Sequence, residues 1–297
     1  MIDKILKLKL KKWLILFVFI MVILFFGVFS FLLKDNLKNE TISTRELNEK
    51  IKVAVLDSGI NKNHKDLKGK IVKEFNPIDS SIETENKLSH GTSIAGIITA
   101  NNTNSEVTGV TQNVELYSVK VIKNDGKIER QGFIDGFKWA ISQNVDIINL
   151  SLGFQKDFPE LRELVDDAVK KGIIIVAASG NTYGLNSQFP ARYDNVISVG
   201  AIDSKNKVPQ FSAIGKVDFF APGVNVLSLN NKGGNSVYTG SSYSTAYITG
   251  VIADYLYKEK INKDEKSFSQ VYTYLESSST EMLDNKSKII QDFNFKK

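Results

Sequence analysis

Four segments of this 297-residue chain end or begin on side chains able to do acyl-transfer chemistry. Asp57 closes the apolar run 51–56 and is followed by Ser58-Gly59. His90 opens His-Gly-Thr-Ser-Ile-Ala-Gly, Asn181 ends Ser-Gly-Asn directly after the run 173–178, and Ser242 lies in Gly-Ser-Ser-Tyr-Ser-Thr-Ala, residues 240–246. Singly, each has an ordinary structural reading: a turn acid, a packed helix start, a Gly-Asn turn, a Ser-rich cap. In the order Asp57, His90, Asn181, Ser242 they supply every part of one site. A serine nucleophile needs a base, which His90 can be, and an acid such as Asp57 to hold the imidazole tautomer and stabilise the imidazolium. The developing oxyanion needs preorganised donors, and the Asn181 amide with the Ser242 backbone N–H at a helix start provides two. The other histidine, His64, lies in the Lys/Asn-rich stretch 61–70 and reads as a solvated or locally bonded side chain. With no cysteine in the chain, thiolate nucleophiles, disulfides and cysteine metal sites are excluded.

The sequence around these positions resembles the subtilisin-like serine proteases over about residues 45–280. The resemblance is carried by VAVLDSGI (53–60), HGTSIAGI (90–97), LYSVKVI (116–122), INLSLG (148–153), AASGN (177–181), FPA (189–191), ISVGAID (197–203), FAPG (220–223) and TGSSYSTAYITGV (239–251). It implies Asp57 as orienting acid, His90 as general base and acid, Ser242 as nucleophile and Asn181 as oxyanion donor, with no cofactor for catalysis. It also implies that a peptide or protein substrate is clamped as an added strand between Lys127-Ile128-Glu129 and Ser151-Leu152-Gly153. A specificity pocket walled by 151–153 and Ala177-Ala178 would have Gln188 near its floor. Asp66, with the loop 101–107, matches a structural calcium position of many relatives. The chain departs from the family pattern at Ser241 (usually Thr), Ala246 (usually Pro) and Tyr247 (usually His), none of which carries the chemistry. The resemblance leaves two readings, an active endopeptidase and a catalytically inactive peptide-binding relative. An α/β-hydrolase esterase does not fit, because its nucleophile sits in Gly-x-Ser-x-Gly and precedes the acid and histidine.

Positioning these groups requires strands that stop at them. Short, nearly continuous apolar runs at 51–56, 114–122, 145–152, 173–178 and 196–201 alternate with helical patterns at 91–100, 131–144, 160–171, 242–257 and 267–277. In 160–171, Leu161, Leu164, Val165 and Ala168 recur at helical spacing and Gly172 follows as a C-cap. This βα alternation predicts an α/β, three-layer fold with a mostly parallel central sheet flanked by helices. Functional groups then gather beyond the carboxyl ends of the strands.

The net charge is +5, but Lys4, Lys7, Lys9, Lys11 and Lys12 against Asp3 place most of it in residues 1–12. The remainder is nearly neutral and interspersed, which argues against nucleic acid as a partner. Residues 14–33 contain no charge. As a helix they would rise roughly 30 Å, the thickness of a bilayer core. Lys34-Asp35-Asn36 follows directly in place of a small-residue cleavage site. The expected organisation is a basic cytoplasmic segment 1–12, a single uncleaved transmembrane signal-anchor 13–33, a linker 34–50 and a monomeric peptidase domain 51–297 outside the cytoplasm.

Overall fold

Apolar runs without polar alternation suit strands covered on both faces. They form the centre of this computed structural model, in which residues 13, 21, 49–78, 88–103, 106–259, 261, 266–281 and 287–290 are described. The strands are β1 (Ile51–Asp57), β2 (Ile71–Phe75), β3 (Val114–Lys120), β4 (Ile147–Leu150), β5 (Ile174–Ala178), β6 (Ile197–Ile202), β7 (Phe219–Pro222), β8 (Val226–Leu229), β9 (Asn235–Tyr238), β10 (Thr280–Glu281) and β11 (Lys288–Ile289). Nine of them make one sheet in the order β10-β11-β7-β6-β5-β4-β1-β3-β2, parallel throughout except for β10 against β11, while β8 and β9 form a separate antiparallel hairpin. The order reverses at β1, which pairs with β3 on one side and β4 on the other.

The helices are α1 (His90–Thr99), α2 (Arg130–Ser142), α3 (Pro159–Lys170), α4 (Ser241–Lys258) and α5 (Phe268–Ser277). Because side chains alternate across a strand, β1 sends Val53 and Val55 into one core and Ala54 and Leu56 into another. The first core holds Ile94 and Ile98 of α1, Ala246 and Ile252 of α4, and Val271 of α5. The second holds Phe133 and Phe137 of α2 with Leu161 and Val165 of α3. The three-layer α/β architecture is therefore as expected. α4 is apolar or small over most of its surface and is deeply buried, with Tyr247, Ile248 and Ile252 at 1 % exposure or less.

Beyond the expected elements there are β2, β7, the β8–β9 hairpin and the β10–β11 edge. These strands are short or border solvent, so they lack the long apolar runs by which the central strands declare themselves. At the amino-terminal end of the central strands β1 and β4, Lys266 donates to Asp146 Oδ1 (2.8 Å) and to the Asp146 carbonyl (3.1 Å). Asp146 Oδ2 accepts from the Lys52 N–H at 2.8 Å, so one buried carboxylate ties β1 to the segment leading into α5. Losing one partner of such a pair costs about 3–5 kcal/mol.

Residues Lys50–Lys297 form one compact unit. The expected cytoplasmic segment, anchor and linker lie almost wholly outside the described residues. Among the described residues no helix is long and apolar enough to cross a membrane.

Candidate active site

Asp57 is the last residue of β1 and is fully buried. Its carboxylate accepts from the Ser58 N–H at 2.7 Å, which aims it towards the helix that follows in space. There His90, the first residue of α1, has Nδ1 2.8 Å from Asp57 Oδ1 and 2.9 Å from Oδ2. Because the carboxylate only accepts, Nδ1 carries the proton and Nε2 is left with a lone pair. Ser58 Oγ accepts from the Gly91 N–H at 3.1 Å and locks the start of α1 to the end of β1. Burial disfavours the imidazolium, but the charge and hydrogen bond of Asp57 outweigh it and hold the His90 pKa above its usual 6.5.

Ser242 lies in the first turn of α4, beyond the end of β4. Its hydroxyl donates to the Ser151 carbonyl at 2.9 Å, and the Ser151 hydroxyl lies 3.0 Å from both the Ser242 carbonyl and Asn149 Oδ1. Asn149 Nδ2 in turn donates to Thr249 Oγ1 at 2.8 Å, so β4 grips α4 at two levels. The next residue, Tyr243, packs its ring against His90, with centroids 5.6 Å apart, and stacks on Tyr238 of β9. Burial pushes the Tyr243 phenol above its ordinary pKa, so it stands neutral beside the pair. The structure thus joins Asp57 to His90 and brings Tyr243, the neighbour of Ser242, onto the imidazole. The Ser242 hydroxyl itself is turned to Ser151 and not to His90.

Asn181 follows β5. One atom of its amide lies 3.1 Å from both the backbone N–H and the hydroxyl of Ser241. A backbone N–H can only donate, so that atom is Oδ1, and Nδ2 must face the other way. It faces Gly240, whose φ of +153° is open to glycine and where a Cβ would stand 3.0 Å from Asn181 Nδ2. In the first turn of α4 the Ser241 N–H is taken by Asn181 Oδ1 and the Tyr243 N–H by the Gly240 carbonyl (3.2 Å). The orienting part played by Ser241 was not legible in the sequence, where it reads as a spare hydroxyl.

The two expected clamps lie on either side of the end of β1. After β3, the N–H groups of Val121 and Ile122 both donate to the Asp57 carbonyl, and the chain turns back so that Ile122 bridges Ile128. Lys127 and Glu129 are exposed there and Ile128 is half-buried, with Glu129 paired to Lys123. After β4, Ser151, Leu152 and Gly153 run on until Phe154 bridges Phe189. Gln188 is packed between Gly153 and Gly180, where a Cβ would lie 2.6 Å from Gln188 Cβ and 2.7 Å from its Oε1 respectively. Ala178 ends β5 beside them.

His64 differs from one of its expected readings. It is buried to 1 % exposure, with Nδ1 accepting from the Asp66 N–H (3.2 Å) and Nε2 donating to the Gly234 carbonyl (3.1 Å). It is a locally bonded tie between two loops, and no solvated side chain. Asp66 is also buried, and its Oδ1 accepts from the Thr103 N–H at 2.6 Å. Among the described residues no group of three His, Cys, Asp or Glu is placed to hold a metal ion. The loop 101–107 that would complete the expected calcium site lies partly outside the described residues.

A mostly parallel α/β sheet carrying a buried carboxylate–imidazole pair near a helix-borne serine is the arrangement on which serine-dependent acyl-transfer proteins are built. The chain belongs to the subtilase family, whose model matches residues 48–289. It is 38 % identical over 235 residues to subtilisin NAT of Bacillus subtilis subsp. natto, covering 77 % of this chain and 60 % of that protein. It is 37 % identical over 239 residues to the major intracellular serine protease of Bacillus subtilis (strain 168), covering 76 % of this chain and 74 % of that one. The crystal structure of a cold-adapted subtilisin-like serine proteinase superposes with a TM-score of 0.72 at 28 % identity, covering 81 % of this chain and 88 % of that chain. This chain spans about 60 % of the length of the first curated subtilisins it matches.

Proposed function

We propose that this chain is a serine endopeptidase that cleaves peptide bonds through Asp57, His90 and Ser242, by way of an acyl-enzyme. The observation that carries the reading is the bond of buried Asp57 to His90 Nδ1, which leaves Nε2 as a base beside the turn that bears Ser242. Rotation about the Ser242 Cα–Cβ bond moves its proton from the Ser151 carbonyl to His90 Nε2 as a substrate enters. The hydroxyl oxygen then attacks the scissile carbonyl, whose oxygen gathers charge against Asn181 Nδ2 and the Ser242 N–H. His90 passes the proton to the leaving amine, and water repeats the sequence to release the acyl product. All groups needed belong to the chain, so no cofactor enters. An extended peptide fits between 127–129 and 151–153, with one side chain directed at Gln188; a polar or medium-sized residue suits that floor.

The uncharged stretch 14–33 behind five lysines supports a tether at the outer face of a cell membrane. A tethered active site suits substrates emerging from an exporter, such as a secreted peptide of the lantibiotic type whose leader must be removed. The deciding experiment is labelling of the full-length chain with a fluorophosphonate, which reacts only with a base-activated serine. One label is expected, lost in Ser242→Ala and retained in Ser241→Ala. An unlabelled chain would leave the peptide-binding, inactive reading.

A further inference from the structure

Between Asn181 and Gln188, both in the site, the chain makes a strap that carries no charged residue. It is zipped to a second uncharged stretch, 208–215, by main-chain bonds. Tyr183 N–H donates to the Phe211 carbonyl (3.0 Å), Gly184 N–H to Ser212 (2.9 Å), Ser187 N–H to Ile214 (2.8 Å) and Ile214 N–H to Leu185 (3.0 Å). The Thr182 hydroxyl closes the turn on the Leu185 carbonyl at 2.6 Å. On this braced backbone Tyr183, Leu185 and Ile214 stand 76 %, 64 % and 57 % exposed. Single exposed apolar residues are unremarkable, but three large ones on two adjoining loop segments joined by main-chain bonds form a patch.

Tyr183 also holds a φ of +53°, a left-handed conformation that is strained for a bulky side chain. Glycine would relieve it, yet Gly184 is the next residue and a tyrosine occupies the strained place. Packing does not require that tyrosine, since most of its surface faces solvent.

We propose that this patch is an exosite, which takes apolar side chains of a polypeptide substrate lying outside the pocket at Gln188. This rests on the endopeptidase reading above. The occupant follows from continuity: the strap leaves the site at Asn181 and returns at Gln188, so Tyr183 and Leu185 stand within a few residues of the groups proposed to meet a chain bound across Ser242. Its chemistry follows from a surface that offers hydrophobic area and no charge to pair with.

The test compares two substrates of the full-length protein. β-Casein, long and unfolded, can reach the patch, whereas p-nitrophenyl acetate uses only the acyl-transfer machinery. In Leu185→Ser/Ile214→Ser, KM for casein is expected to rise on the order of ten-fold, with ester hydrolysis unchanged within about two-fold. Tyr183→Gly guards against a trivial loss of folding. It relieves the left-handed strain, so its melting temperature should stay level or rise while casein cleavage falls. Casein kinetics unchanged in both variants would overturn the exosite, including the case where the variants lose self-association or binding to phosphatidylcholine vesicles instead. A fall in both substrates together in Tyr183→Gly would overturn it as well. A wild-type chain that takes no fluorophosphonate label removes the endopeptidase reading and this one with it.

Discussion

The His90–Asp57 pair sets opposite demands on activity and stability. The folded imidazole has a raised pKa, first opposed by burial and then driven up by the charge and hydrogen bond of Asp57. The stabilisation from the charged pair is therefore complete below the unfolded histidine value and is lost as pH rises through the folded one. Catalysis needs the neutral ring, so the acid limb of kcat/KM should have its midpoint above 6.5. In Asp57→Asn burial acts unopposed, and the midpoint should move below that value while turnover falls by orders of magnitude; a limb that stays in place would dismiss His90 as the base. In the proposed mechanism Asn181 is separable from the pair because it meets only the charged oxygen. Asn181→Ala should lower kcat by about 10²–10³-fold with little change in KM, a magnitude borrowed from the equivalent donor of subtilisin. A change confined to KM would make Asn181 a substrate-binding group. Ser241→Ala removes one of the two donors to Asn181 Oδ1 and keeps the backbone N–H, so it should produce a smaller loss of the same kind, and Ser241→Thr should restore it.

Elements hold these groups by side-chain ties across loops as much as by the sheet. The β8–β9 turn is the clearest case. Gly234 accepts from His64, the Asn231 carbonyl accepts from Asn61 Nδ2 (2.9 Å), and Ser89 Oγ donates to Asn231 Oδ1 (2.7 Å) just before His90. Ser228 Oγ donates to the Ser93 carbonyl at 2.6 Å, one turn further along α1. His64→Ala would leave the buried Asp66 N–H and the half-buried Gly234 carbonyl without the imidazole, a loss of about 2–4 kcal/mol. The expected result is a melting temperature lower by roughly 5–10 °C, with ester turnover at permissive temperature within a few-fold of wild type. A collapse of turnover in a folded His64→Ala protein would show that histidine to be part of the chemistry.

For the chain as a whole, the proposed tether confines a peptidase to the neighbourhood of its membrane. Residues 34–50 could span roughly 60 Å only when fully extended, and far less as a coil. External protease added to intact cells should therefore remove residues 45–297 and spare the N-terminal segment, and the full-length protein should sediment with membranes at its unprocessed mass. Activity released into the medium on chains beginning near residue 34 would overturn the anchor. The endopeptidase reading would survive, since it rests on Asp57, His90, Asn181 and Ser242.

From sequence alone the chemistry and the frame were legible. Residue type and order named candidates for the acid, base, amide and serine, and nearly continuous apolar runs and apolar residues at helical spacing marked the central strands and the five helices within a few residues. Those signals are local, so they survive without knowledge of which segments meet. The short edge strands gave no such signal, being too brief or too exposed to show a period. What only the tertiary structure decided was orientation. Ser241 turns the amide of Asn181 from 60 residues away, and His64 reaches Gly234 from 170. Tyr183 and Leu185 are ordinary loop residues until Phe211 and Ile214 are laid beside them. A side chain's partner is set by how distant segments close on one another, and no periodicity along the chain encodes that closure.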